Sequence, residues 1–92
     1  MSEKRFHVCV SGRVQGVGYR YYARDVALSL GLCGWVRNVC DGSVELEVQG
    51  EQRSIDRFLE ELKEGPSLSR VTDLKIREIA SLETCGDFLI RH

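Results

Sequence analysis

An α+β sandwich, with two helices on one face of an antiparallel sheet, is the fold that three features of this sequence predict. Stretches that alternate apolar and polar residues bracket two stretches of helical periodicity, in the order β-α-β-β-α-β, with a short fifth strand after them. Each helical stretch carries one apolar stripe, too narrow for a helix buried all round. Each strand offers one apolar face. Setting both stripes on the apolar face of a single sheet buries all of these surfaces, and the order of elements makes this the ferredoxin-like split βαβ arrangement. That fold hosts many functions, so it decides nothing about chemistry.

The first strand runs from Phe6 to Ser11, where Phe6, Val8 and Val10 alternate with a polar face of His7, Cys9 and Ser11. His7 is expected to face solvent. The glycine-rich stretch GRVQGVGYR follows, residues 12–20. Tyr22, Ala23, Val26, Ala27 and Leu30 then recur at helical spacing, with Gly31 as a C-terminal stop. This pattern puts Tyr22 in the core and Tyr21 on the surface. LCGWVRNV reads as the second strand, with Trp35 as a packing residue, and SVELEVQG as the third, where Val44, Leu46 and Val48 alternate with Glu45, Glu47 and Gln49. Asp41-Gly42 between them is a hairpin signal. The second helix spans about Gln52 to Lys63, with Ile55, Phe58, Leu59 and Leu62 on one stripe, and Gly65-Pro66 ends it. The fourth strand covers about Val71 to Ile79 and the fifth Phe88 to Arg91.

Ninety-two residues make one domain, 1–92, and a chain of this size buries roughly 60–65% of its unfolded surface. Thirteen basic against fourteen acidic residues leave a net charge of -1. That balance argues against a general nucleic-acid binder, whose affinity comes from excess cations on phosphates. No window approaches membrane-spanning length, and the opening MSEKRF lacks the apolar stretch of a signal peptide. The protein is therefore expected to be cytoplasmic and monomeric, without a membrane or nucleic-acid partner. In that compartment Cys9, Cys33, Cys40 and Cys85 are expected to be thiols rather than structural disulfides. No two of them have the close spacing of a zinc half-site, and His7 and His92 lie at opposite ends of the chain, so no metal or other cofactor is expected.

The chemistry concentrates in the glycine-rich stretch. A helix start ordinarily carries Ser, Thr, Asp or Asn to cap its free amides. Gln15-Gly16-Val17-Gly18-Tyr19 offers none of these. Cations are disfavoured at the positive end of the helix dipole, yet Arg20 and Arg24 both stand there, four apart, as a like-charge pair. Each choice is wrong for stability, and all become sensible if an anion binds: open amides, a glycine-permitted concave backbone and a guanidinium fork make a phosphate cradle. Known phosphate motifs do not match. A Walker loop needs Gly-Lys-Ser/Thr where this chain has Gly-Tyr-Arg, and a dinucleotide fingerprint needs glycine at position 21, which is tyrosine. Cys85 and Arg91 share the spacing of cysteine phosphatases, but the intervening GDFLI reads as a strand and nothing beside Cys85 would lower its pKa.

GRVQGVGYR together with GWVRN closely resembles the acylphosphatase family, over essentially the whole chain, including the Asp-Gly hairpin and the terminal FLIR. The resemblance implies a ferredoxin-like enzyme that hydrolyses the carboxyl-phosphate bond of small acyl phosphates. It places the phosphate-binding loop on Gln15, Gly16, Val17, Gly18 and Tyr19, the essential arginine on Arg20 and the essential asparagine on Asn38. Two positions depart from the family pattern: Tyr19, more often phenylalanine, and His92, where the chain usually ends in tyrosine.

The residue types suit that reaction. An acyl phosphate has a good leaving group, so the enzyme needs no covalent nucleophile, metal or strong acid, only held phosphoryl oxygens and an aimed water. Backbone amides and Arg20 supply the first and Asn38 the second. Alone, Asn38 ahead of Asp41-Gly42 reads as a turn former, and the resemblance is what raises it. Arg13 could assist phosphate binding, but at a strand end it reads more often as a structural ion-pair partner. The alternative is a non-catalytic anion- or RNA-binding module on the same fold. Its RNA form needs exposed aromatics on the sheet, where this chain has His7, Cys9, Ser11, Glu45, Glu47 and Gln49.

Overall fold

A computed structural model describes residues 3–92. The elements follow the expected order: β1 (Lys4–Arg13), α1 (Tyr19–Ser29), β2 (Cys33–Asn38), β3 (Val44–Gly50), α2 (Gln52–Glu64), β4 (Arg70–Ile79) and β5 (Phe88–Arg91). The five strands form one sheet in the order β4-β1-β3-β2-β5. The first four are antiparallel to their neighbours, and β5 lies parallel to β2. A chain leaving β4 at one edge must cross to the opposite edge and reverse, which brings it into line with β2.

The alternation read in the sequence sets the two faces. Val8, Val10, Val36, Val44, Leu46 and Val48 are all buried and face the helices. Ala23 and Ala27 from α1 and Ile55, Phe58 and Leu62 from α2 close the core over them. Phe88 anchors the short β5 strand edge-on against Phe58, with ring centroids 6.0 Å apart. Among the described residues, no helix is long and apolar enough to cross a membrane.

Tyr22 corrects its core assignment: it is half-buried, and its hydroxyl donates to the Glu61 carbonyl at 2.9 Å, linking α1 to α2. Burial and the Glu61 carboxylate raise its pKa to about 12. Tyr21 is exposed, as read.

The face away from the helices is less open than alternation implied. Residues 80–87 cross to β5 over it, and Gln49 fastens them: its Nε2 donates to the Leu82 carbonyl at 3.0 Å and its Oε1 accepts from the Leu82 amide at 2.9 Å. Gln49 is thereby buried. Arg5 is buried beside it, donating to Glu47 at 2.9 Å and Gln49 at 3.2 Å. His7 shares this face but is held against the Glu45 carboxylate at 2.6 Å, and Trp35 packs under the Arg91 guanidinium, 4.7 Å from its ring centre.

The crossover also overturns the expectation of four thiols. Cys33 and Cys85 form a disulfide across 52 residues, with Cα atoms 5.8 Å apart. The pairing follows from a segment carried the width of the sheet onto β2, a proximity that cysteine spacing does not encode. Cys9 and Cys40 are free.

Candidate active site

Strand order brings the two halves of the site together. β1 and β2 are both antiparallel neighbours of β3, so they run the same way and their C-terminal ends emerge at one end of the sheet. The loop after Arg13 and the last residue of β2, Asn38, therefore meet there.

Residues 15–18 turn the chain from β1 into α1. Gly16 (φ 73°) and Gly18 (φ 79°) both take left-handed backbone conformations that side chains resist, and Gly18 is the N-cap of α1. No side chain caps that end. The first-turn amides, which have no acceptor inside the helix, are left for another partner, at the positive end of the dipole. Val17 fixes the loop by packing its side chain on the core.

Gln15 and Tyr19 reach the site differently from their neighbours. Gln15 Nε2 donates to the carbonyls of Val39 at 2.7 Å and Ser43 at 2.8 Å, tying the loop to the β2–β3 turn. That turn is itself set by Asp41, whose carboxylate accepts from the Ser43 amide and hydroxyl, bonds that hold its pKa below the usual value. The Gln15 side-chain donors are thus committed to scaffolding. Tyr19 buries its ring, and its hydroxyl donates to the Leu62 carbonyl at 2.7 Å. Burial, with Tyr22 nearby, raises its pKa far above the ordinary tyrosine range. Tyr19 faces the core and can offer an anion its backbone alone.

Arg20 is half-buried, and its Nη1 lies 3.4 Å from both the Arg91 carbonyl and His92 Nδ1. The chain end therefore braces the guanidinium, a contact the sequence did not reveal. Arg13 is exposed and forms no ion pair among the described residues, contrary to its reading as an ion-pair partner.

A cavity of about 100 Å³ lies where these parts converge, lined by Val14, Gly16, Gly18, Tyr19, Arg20, Tyr21 and Asn38. Asn38 Oδ1 is buried without a hydrogen-bond partner among the described residues. Leaving such an acceptor unpaired costs about 1–3 kcal/mol, so beside this cavity it is open to a donor from outside the chain. Two larger hollows lie elsewhere, one between α1 and α2 and one along β4. The first holds one arginine, Arg57, already paired with Glu61, and the second one lysine, Lys63, already paired with Glu60.

Comparison with known proteins places the fold and the sequence in one family. The acylphosphatase family model matches residues 6–90. An acylphosphatase of Methylococcus capsulatus is 54% identical over 87 residues, covering 95% of each chain. Another, of Chlorobaculum tepidum, is 44% identical over 90 residues and covers 98% of each. The crystal structure of acylphosphatase from Bacillus subtilis superposes with a TM-score of 0.93 at 39% identity, over 97% of this chain and 99% of that one.

Proposed function

This chain belongs to the acylphosphatase family and is an acylphosphatase, and from that premise we propose that the 15–20 loop and Arg20 hold the phosphoryl group while Asn38 directs a water at phosphorus. The observation that carries this reading is the buried, unpartnered Asn38 Oδ1 on the same small cavity as the uncapped start of α1 and Arg20.

Amides of Gly16 to Arg20 and the Arg20 fork neutralise the equatorial phosphoryl oxygens, where charge is spread in the transition state. Asn38 Oδ1 accepts a hydrogen bond from the water and orients its lone pair in line with the scissile bond. The water oxygen bonds to phosphorus as the phosphorus–oxygen bond to the acyl group breaks, and the carboxylate departs with that electron pair. Asparagine cannot take a proton at neutral pH, so the water's proton passes to a phosphoryl oxygen. The products are a carboxylate and dihydrogen phosphate.

The reading takes the protein as a cytoplasmic monomer that acts on a small acyl phosphate without nucleic acid or cofactor. Its balanced charge supports the absence of a nucleic-acid partner. In the cytoplasm the Cys33–Cys85 bridge would be one of the rare pairs that persist against reduction.

Release of phosphate from benzoyl phosphate, with and without a chelator, tests the mechanism. Equal turnover in both is expected. Activity abolished by the chelator and restored by a divalent cation would require a different mechanism, and phosphate binding without turnover would favour a binding module.

A further inference from the structure

At about 100 Å³, the cavity is well below the roughly 300 Å³ at which ordinary small-molecule sites begin. It takes the phosphoryl group and its water, which itself occupies about 30 Å³. The acyl group then extends from the cavity mouth past the residues that line it. Val14 and Tyr19 are buried, and Gly16 and Gly18 have no side chains. Arg20 and Asn38 are committed to the phosphoryl group and the water. Tyr21 remains, with an aromatic ring on a residue that is 53% exposed.

That ring is steadied from one side. The Arg24 guanidinium lies 5.2 Å from its centre, and Arg24 is in turn held by two bonds of 3.2 Å to Asp25 Oδ1. An isolated surface tyrosine would need no explanation. This residue is among those that line the cavity, follows directly on Arg20 and has the Arg24 guanidinium over its ring.

We propose that Tyr21 is the acyl-side contact of the site and that it biases the enzyme towards acyl phosphates with a planar, apolar acyl group over those with a minimal one such as acetyl. The inference rests on the mechanism above and adds to it the class of substrate preferred.

The test is steady-state kinetics on benzoyl phosphate and acetyl phosphate for the parent, Tyr21→Ala and Tyr21→Phe, with inhibition by inorganic phosphate measured on each. Alanine is a strong helix former and the position is exposed, so Tyr21→Ala should fold. It should lose about 10-fold in kcat/KM on benzoyl phosphate, mostly through KM, as expected for a lost ring–ring contact. Acetyl phosphate should change less than about 2-fold, phosphate inhibition should stay at the parent value, and Tyr21→Phe should behave as the parent. Equal losses on both substrates, or an unchanged ratio between them, would overturn the inference and leave the mechanism standing. A parent that hydrolysed neither substrate would overturn both.

Discussion

In the proposed mechanism the asparagine and arginine of this site act through geometry more than through charge or basicity. Arg20 presents a planar fork that can grip two phosphoryl oxygens, and the chain end steadies it through the Arg91 carbonyl and His92. Asn38 presents one acceptor, buried and unpaired. The two roles separate by experiment. Asn38→Ala should stay folded and keep near-parent affinity for inorganic phosphate, because the loop and Arg20 bind the ground state. Turnover should fall on the order of 100-fold or more, with kcat and kcat/KM falling together. Were Asn38 only a turn residue before Asp41-Gly42, the variant would melt earlier with full activity per folded molecule. Melting temperature, phosphate affinity and kcat on one preparation distinguish the two.

At the scale of elements, the start of α1 has no side-chain cap, so α1 must be held from elsewhere. Two tyrosines do this. Tyr19 bonds the Leu62 carbonyl and Tyr22 the Glu61 carbonyl, both on α2. Their bonds and burial favour the neutral phenol, and this makes helix docking sensitive to alkali. Below pH 10 both folded and unfolded chains keep the phenols protonated. As pH rises from 10 towards 12, the unfolded chain ionises first, at the ordinary value near 10, whereas folded Tyr22 holds its proton to about 12. The unfolded state then binds fewer protons and stability is lost. Melting temperature should therefore drop across pH 10–12, and less steeply in Tyr22→Phe. An identical slope in the variant would show that Tyr22 does not contribute to the alkaline limb.

Across the whole molecule, the segment from β4 to β5 closes the sheet, and three contacts secure it: the Gln49 clamp on Leu82, the Cys33–Cys85 bridge and the docking of Phe88 on Phe58. β5 has four residues and little ladder of its own, and its far end reaches Arg20. A bridge across 52 residues restricts the unfolded chain, and its removal should cost about 2–4 kcal/mol. Cys85→Ser should therefore melt roughly 10 °C or more below the oxidised parent. Reductant should bring the parent down to the variant and leave the variant unmoved. Coincident melting of the oxidised parent and the variant would show that the bridge adds no stability.

Much of this fold was legible because its signals are local. Alternation of Val8 and Val10 with His7 and Cys9, the stripe of Ile55, Phe58 and Leu62, and the stop at Gly65-Pro66 each act within a few residues, where steric and solvation preferences are set by near neighbours. The candidate phosphate loop stood out for the opposite reason: Gly16, Gly18, Arg20 and Arg24 break local rules together, and the structure brings Gly16, Gly18 and Arg20, but not Arg24, to the cavity. Tyr22 was misplaced because its depth depends on where α2 docks, and Gln49, polar on an exposed-looking face, was buried by a segment arriving from residues 80–87. The Cys33–Cys85 pair, the bracing of Arg20 by the chain end and the position of Tyr21 on the cavity rim depend likewise on chain crossings. By itself the sequence determined the elements, their order and the glycine-rich turn into α1, since periodicity and backbone preference are properties of neighbouring residues. Only the tertiary structure decided which side chains are buried on the second face, which cysteines meet and what lies beside the cradle, because those follow from contacts between residues far apart in the chain.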